Sequence, residues 1–213
     1  MVSTHLEELL RQIPKNVCIV AATKYGTADQ IKQLLPFGIH HFGENRTDAL
    51  LTKMEALKDE PITWHFIGHL QRNKVRDVID KIEYLHSLDS LQLAKEIEKY
   101  RTKPLKCFIE VNIQNEESKN GLAVSDLPDF VREVLKYPKV EVIGLMTMAR
   151  KEATTEERKK QFAYLATLMK RINDTFHLKM TDLSMGMSDD YQEAISEGAT
   201  YVRLGRILWE KRT

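Results

Sequence analysis

The stretch CIVAATKYG, from Cys18 to Gly26, places a lysine at the end of a strand-forming run. A buried strand is typically a continuous run of small and β-branched apolar residues, and Lys24 follows such a run directly. An amine in this place is either a solvated strand end or a primary amine held at the mouth of a pocket. In a pocket it could pair with an anion or form a Schiff base with an aldehyde. Tyr25 is expected to point away from the face of Lys24, because side chains alternate along a strand.

Polar or flexible residues also recur where the other strand-forming runs stop. In chain order they are Glu44, Asn45, Arg46, His65, Gly68, His69, Ser87, Asp89, Asn112, Met146, Thr147, Ser184–Ser188 and Arg203–Arg206. If the strands are parallel and close into a barrel, their carboxyl ends meet at one face, which is where barrel enzymes carry their active sites. The pattern therefore predicts one site at that face.

The last two loops indicate an anion. Barrels often bind phosphate with the loops after strands seven and eight, using backbone N–H groups. Here those loops are SMGMS (Ser184–Ser188) and RLGR (Arg203–Arg206), and Gly186 and Gly205 leave room for close backbone approach. The alternative is that these residues are ordinary turn and cap residues. Because both loops fall at the expected strands, we favour a ligand that carries a phosphate.

A phosphate together with a Schiff-base lysine points to pyridoxal 5′-phosphate (PLP), whose ring nitrogen needs an Asp or Arg partner. Arg203 lies two residues before Gly205 and so shares its face of the last strand. There it could meet the ring nitrogen. The spacing fits equally well with an arginine held in a core ion pair.

Eight strand candidates position these residues. They are Val17–Thr23, Ile39–Gly43, Thr63–Gly68, Ile82–Leu88, Lys106–Ile113, Val140–Met148, Thr181–Gly186 and Thr200–Gly205. Amphipathic helical segments alternate with them, which favours a parallel sheet with right-handed crossovers. We predict a single (β/α)8 TIM barrel domain over residues 1–213. An open doubly wound sheet is the alternative, but no G-x-G-x-x-G follows the first strand.

Composition narrows the class of protein. The chain has 213 residues, is 42% hydrophobic and 30% charged, and carries a formal net charge of +1. No strong field therefore recruits nucleic acid or a membrane surface. No signal peptide or membrane-spanning run is evident, and two cysteines inside apolar runs fit free thiols in a reducing compartment. We expect a cytoplasmic monomer. The histidines around strands two and three are expected to be satisfied strand-end residues, with no metal site.

Six motifs together resemble one family. AATKYG, HFGENR, WHFIGHLQRNK, GLMTMA, SMGMSDDYQEAI and VRLG are similar to those of the pyridoxal phosphate homeostasis protein family, of the alanine racemase N-terminal-domain type. The resemblance runs from about Val17 to Leu208. It implies a (β/α)8 barrel like the alanine racemase N-terminal domain.

The resemblance also implies roles for single residues. Lys24 would be the Schiff-base lysine, Arg203 would meet the pyridine nitrogen, and Ser184 with the backbone around Gly205 and Arg206 would hold the phosphate. Asn45, His65 and Met146 would line the ring. The family more often has a threonine where Arg206 stands, so a guanidinium could replace a hydroxyl contact.

The implied function is binding, storage and delivery of PLP in vitamin B6 homeostasis, without strong catalysis and with transient PLP-dependent apo-enzymes as partners. A protonated arginine keeps the ring nitrogen unprotonated and makes it a poorer electron sink. Racemisation would also need an acid/base group on each face of the substrate. A PLP-dependent amino-acid racemase or lyase remains the alternative, and a barrel enzyme with Lys24 as a phosphate clamp is a further one.

Overall fold

A computed structural model of the chain describes residues 2–114, 120–150 and 152–209, with side chains from residue 5 onward. Its strands in the described residues are β1 (Cys18–Ala22), β2 (His41–Glu44), β3 (Thr63–Phe66), β4 (Tyr84–Leu88), β5 (Leu105–Asn112), β6 (Leu122–Ala123), β7 (Val140–Met146), β8 (Asp182–Ser184) and β9 (Tyr201–Leu204).

The α-helices of the same ranges are α1 (Val2–Gln12), α2 (Ala28–Leu34), α3 (Thr47–Ala56), α4 (Val75–Val78), α5 (Leu91–Tyr100), α6 (Leu127–Val134), α7 (Thr155–Phe176), α8 (Tyr191–Ser196) and α9 (Arg206–Trp209). Short 3₁₀ helices cover Thr23–Tyr25, Leu35–Phe37 and Arg72–Lys74. None of the helices described in this way is both long and apolar enough to cross a lipid bilayer.

Eight of the strands close into a parallel barrel. Every pairing is parallel, and the ring runs β1, β2, β3, β4, β5, β7, β8, β9 and back to β1. The pairing of β4 with β5 closes the ring on one side, and β1 pairs with β9 over four residue positions on the other. The predicted (β/α)8 barrel is therefore confirmed. The two-residue β6 pairs only with the end of β5 and was not predicted, nor were α3 and α4.

Local signals in the sequence explain where several helices begin. Thr27 and Gln30 form a reciprocal capping box at the start of α2, and Thr154 and Glu157 form a second one at α7. The hydroxyl of Ser90 accepts a hydrogen bond at the start of α5, as its position before Leu91 predicts. Each cap satisfies backbone N–H groups that the first helical turn leaves without partners.

Most of the apolar core lies outside the barrel, between the strands and their helices. Alternate residues of each strand point outward into this layer, as Cys107, Ile109 and Val111 do from β5. Helices supply the opposing side chains, among them Leu50 and Phe162, both with no exposed area. The residues between them point into the barrel. Phe108, Tyr84 and Met146 form a separate small cluster there.

Candidate functional site

Lys24 lies in a one-turn 3₁₀ helix, Thr23–Tyr25, directly after β1. The side chain is exposed, and no described residue forms a hydrogen bond or ion pair with its amine. The amine lies 5.2 Å from the centroid of the Tyr25 ring. The expectation that Tyr25 points away was therefore wrong, because the backbone turns here instead of continuing the pleat. Lys24 is thus a primary amine at the carboxyl end of the barrel with no hydrogen-bond or ion-pair partner among the described residues.

A buried ion pair anchors the backbone beneath Lys24. The ammonium of Lys53 on α3 lies 2.5 Å from Oε2 of Glu44 and donates to the carbonyl of Thr23 at 2.6 Å. The Thr23 hydroxyl donates to the same carboxylate at 2.8 Å, and the backbone N–H of Asn45 donates to its other oxygen. The ends of β1 and β2 are thus tied to one carboxylate, which fixes the places of Lys24 and Asn45.

The loops after β8 and β9 place two backbone donors around one oxygen atom. The hydroxyl oxygen of Ser188 accepts from the N–H of Gly205 at 3.1 Å and of Ile207 at 3.4 Å. Gly186, in the same loop as Ser188, has φ of +92°, and a Cβ there would lie 2.6 Å from the Cβ of Ala194, so glycine is required. β9 is the neighbour of β1 in the barrel. The loop after β9, which carries these two backbone donors, therefore lies next to the end of β1, where Lys24 is.

Arg206 does not turn its guanidinium toward these donors. It pairs instead with Asp189, and both side chains are more than half exposed. Asp189 lies in the loop between β8 and α8, where Asp190 is the residue before the first helical position. The guanidinium expected to replace a threonine hydroxyl is therefore occupied by a neighbouring carboxylate.

Arg203 is buried inside the barrel, with 5% of its surface exposed. One terminal nitrogen donates to the hydroxyl oxygen of Ser184 at 2.6 Å, and the other donates to the carbonyl of Thr147 at 3.0 Å. Burial lowers the pKa of Arg203 to about 10, against the opposing effects of Glu110 and Asp190. The group stays protonated near neutral pH, so it acts as a donor only.

Among the acidic residues, Glu110 has the largest electrostatic effect on the pKa of Arg203. Its side chain points into the barrel from β5 and is 4% exposed. Burial, reinforced by Asp89, raises its pKa to about 7, although Arg203 acts in the opposite direction. The carboxyl end of the barrel therefore holds a buried acid that titrates close to neutral pH.

Three histidines form a hydrogen-bonded row below Arg203. His41 Nδ1 lies 2.9 Å from His65 Nε2, and His65 Nδ1 lies 2.8 Å from His86 Nε2. His86 Nδ1 lies 2.7 Å from the Ser184 hydroxyl oxygen, and Arg203 donates a hydrogen bond to that oxygen. The row crosses the barrel interior from β2 to β9.

The predicted site residues fall into two groups. Lys24, Asn45, Gly205 and Arg206 lie at the open face of the barrel. The other four lie inside it: His65, Ser184 and Arg203 belong to the hydrogen-bonded row, and Met146 packs in the interior cluster with Phe108. His65 has both ring nitrogens occupied and stacks on Tyr84 with ring centroids 4.3 Å apart, so it does not reach the open face.

The hydroxyl of Ser184 is fully buried and already has two partners. The structure thus places Ser188, not Ser184, at the two backbone donors of the last loop. The sequence analysis missed His86, Glu110 and Lys53 altogether. A signal existed for the row, because three consecutive strand candidates each carry a histidine next to an apolar residue: Phe42, Trp64 or Leu85.

Exposed apolar side chains surround this face. Tyr25 is 63% exposed, and Met148 and Met187 are each 38% exposed. They follow β1, β7 and β8, so they lie on the same rim as Lys24. Beside Asn45, a cavity of about 720 Å³ opens between the start of α3 and the loop that holds Gly68 and His69. Among the described residues, no group of three or more His, Cys, Asp or Glu is placed to bind a metal ion.

The chain is similar to a known protein family, to curated proteins and to solved structures. Residues 3–212 match the family model described as "Alanine racemase, N-terminal domain". The pyridoxal phosphate homeostasis protein of Aquifex aeolicus is 38% identical over 91% of this chain and 86% of its own length, and that of Escherichia coli K12 is 30% identical over 93% and 87%.

Solved structures agree with these matches. PipY of Synechococcus elongatus, solved with PLP bound, superposes with a TM-score of 0.91 at 31% identity, covering 99% of this chain and 100% of that one. Alanine racemase of Clostridium difficile superposes with a TM-score of 0.79 at 16% identity and shares the fold; this chain covers 56% of its length.

Proposed function

Because this chain belongs to the pyridoxal phosphate homeostasis protein family, we propose that it binds PLP as a Schiff base on Lys24 and serves to hold and deliver the cofactor. The observation that carries this proposal is the exposed amine of Lys24, which has no hydrogen-bond or ion-pair partner among the described residues and lies at the end of the strand next to β9 and its backbone donors. When bound, the aldehyde of PLP supplies a carbon that an amine can bond reversibly with loss of water. We further propose that residues 1–213 form one domain around this site.

The donors present match the chemistry of the cofactor. Two backbone N–H groups converge on the oxygen of Ser188, so a phosphate oxygen can take up the same donors. The buried guanidinium of Arg203 supplies the permanent donor that a ring nitrogen requires. Asn45 and Met146 would contact the ring from the sides. His65 and Ser184 would act from behind Arg203, and the side chain of Arg206 stays with Asp189.

Carriage of the cofactor is better supported than catalysis. Arg203 keeps the ring nitrogen unprotonated, which weakens the electron withdrawal that carbanion chemistry needs. The amine of Lys24 lies 5.2 Å from the centroid of the Tyr25 ring, so Tyr25 would share the lysine's side of a bound cofactor and would not serve the opposite face. The curated relatives reported above carry homeostasis names, not enzyme names. A racemase or lyase would need a second proton-transfer group on the face of the cofactor opposite Lys24.

Delivery implies that the site opens toward other proteins. We propose that PLP-dependent apo-enzymes approach the rim formed by Tyr25, Met148 and Met187, whose exposed apolar surface favours transient contact. We expect the protein itself to be a monomer, which light scattering would test. Transfer would be measured by mixing the loaded protein with an apo-enzyme under a PLP phosphatase trap. Activation no faster than with free PLP would contradict delivery.

The binding site is tested by absorbance and labelling. Wild-type protein with added PLP is expected to show a visible imine band, and borohydride should fix the cofactor on the peptide that contains Lys24. Lys24→Ala should lose both. Lys99→Ala is a matched control, because Lys99 is also exposed and also lies over the ring of the next residue, Tyr100. A label spread over surface lysines, or a band that survives in Lys24→Ala, would sink the proposal.

A further inference from the structure

The hydrogen bonds along the row of histidines inside the barrel run in one direction, which Arg203 determines. Arg203 donates to the hydroxyl oxygen of Ser184, and a guanidinium cannot accept a hydrogen bond. Ser184 is fully buried, and its other partner is Nδ1 of His86. The hydroxyl oxygen has lone pairs for both groups, but its own hydrogen would then be buried without an acceptor among the described residues. The hydrogen is therefore assigned to His86, whose Nδ1 is the unprotonated acceptor.

That assignment determines the tautomers of the other two histidines. With Nδ1 of His86 accepting, the proton of the neutral ring is on Nε2, which donates to Nδ1 of His65. His65 in turn carries its proton on Nε2 and donates to Nδ1 of His41. All bonds then run one way, from Arg203 through Ser184, His86 and His65 to His41.

The charges around the row favour this neutral state. Burial lowers the pKa of His41, and lowers those of His65 and His86 well below the ordinary value. Electrostatic repulsion acts in the same direction, from His40 and Lys106 on His41 and from Arg203 on His86. The uncharged neighbours are aromatic: Tyr84 stacks on His65, and Phe108 and Tyr201 pack against His86. No carboxylate is hydrogen-bonded to the row among the described residues.

We propose that Ser184 and His86 are positioning residues for Arg203, kept in one hydrogen-bond direction by a relay that ends at His41. The relay presents Ser184 as an acceptor to one terminal nitrogen of Arg203, while the carbonyl of Thr147 holds the other. The guanidinium is thereby fixed, and its remaining N–H donors are aimed at the ligand. This last step rests on the proposed function, whereas the direction of the relay does not.

The first test needs no cofactor. Histidine-labelled protein is observed by ¹⁵N–¹H correlation NMR between about pH 6 and 8. We expect His41, His65 and His86 each to appear as the Nε2–H tautomer at the upper end of this range, and the fully buried His65 and His86 not to titrate within it. A proton on Nδ1 of His86, or a titrating His65, would overturn the relay.

The second test breaks the relay in its middle. His86→Phe keeps a flat ring against Phe108, whose centroid lies 4.4 Å from that of His86, but removes both hydrogen bonds. We expect His41 to lose its single tautomer although His86 does not touch it. Affinity for PLP should fall about tenfold, since a hydrogen bond to a charged group loses its fixed geometry.

A second pair of variants guards against misfolding. Ser184→Ala removes the hydroxyl and should reproduce the loss of affinity, whereas Ser184→Thr keeps a hydroxyl and should restore most of it. His40→Asn is the control, because His40 points away from the barrel and bonds the carbonyl of Pro61. Unchanged affinity and an unchanged His41 tautomer in both His86→Phe and Ser184→Ala would refute the proposal. Failure of the wild type to bind PLP would refute the proposed function, and the relay would still be decided by the first test.

Discussion

The interior of the barrel is more polar than the layer around it, although both are largely buried. Outward-facing strand residues such as Phe42, Phe66 and Leu204 meet apolar helix faces. Inward-facing residues of the same strands include His41, His65 and Arg203, which are joined by hydrogen bonds. Stability is therefore expected to come from the outer layer, where apolar area is removed from water, while the interior contributes order and a fixed guanidinium.

Removing a large side chain from the outer layer should have the largest effect. Phe162 on α7 is fully buried, and Phe162→Ala is expected to cost about 3–5 kcal/mol of unfolding free energy. Tyr164→Ala on the same helix, where the side chain is 40% exposed, should change it by about 0.5 kcal/mol or less. Chemical denaturation measures both. Similar losses in the two variants would mean that α7 packs less closely than this layer requires.

The outer layer also contains a buried ion pair, that of Glu44 and Lys53. The carboxylate is 1% and the ammonium 15% exposed, so Lys53→Met leaves a buried charge without its partner. We expect a loss of about 3 kcal/mol, with a weaker imine band because Thr23 loses its anchor. The matched control is Lys136→Met, whose pair with Glu133 is exposed on both sides and is worth about 0.5 kcal/mol or less. Equal losses from the two changes would place the Glu44 pair in solvent.

A buried acid in the interior should make stability depend on pH. The pKa of Glu110 rises from 4.5 to about 7 on folding, so the folded chain binds more protons than the unfolded one between these values. Stability is then fully present below about pH 4.5 and falls as the pH rises toward 7, by about 3 kcal/mol at most.

Glu110→Gln removes that titration, so the stability of the variant should stay level where that of the wild type falls. Thermal melts from pH 5 to 8 measure the difference. Glu141→Gln, at an exposed position of β7, should leave the wild-type slope in place. A wild type whose stability rises over this range would show that Glu110 is ionised and paired with Arg203.

The barrel could be predicted from the sequence because its strand-forming runs are clearly separated along the chain. Each of the eight runs is apolar and ends in polar or glycine residues, and amphipathic helices separate them. Two helices could not be predicted from the sequence, for physical reasons. α3 fully buries only Leu50, and α4 is four residues long, so neither shows a repeated apolar face. The two-residue β6 exists only through its contact with β5.

The site was predictable at its rim and not in its interior. Lys24 and Gly205 follow strands, so their place at the carboxyl end follows from strand order alone. Which residues face inward depends on register, and the pairings of β4 with β5 and of β5 with β7 both contain shifts, between Leu85 and Leu88 and between Cys107 and Phe108. Alternation counted along one strand cannot locate such shifts. Contacts such as that between Ser184 and His86, 98 residues apart, therefore needed the closed barrel.

The smallest predicted effect concerns an exposed helix end, which belongs neither to the barrel interior nor to the layer around it. It measures how much a polar contact contributes to stability when water can reach it. Thr154 caps α7 at an exposed helix end, where its hydroxyl accepts from the N–H of Glu157. Thr154→Ala should cost about 1 kcal/mol, since water replaces part of the lost hydrogen bond. Thr175→Ala is the control, because that hydroxyl bonds a carbonyl within the same helix and satisfies no free helix end. If the cap costs as much as Lys53→Met, exposure does not discount polar contacts in this protein, and the contrast between interior and outer layer loses its energetic meaning.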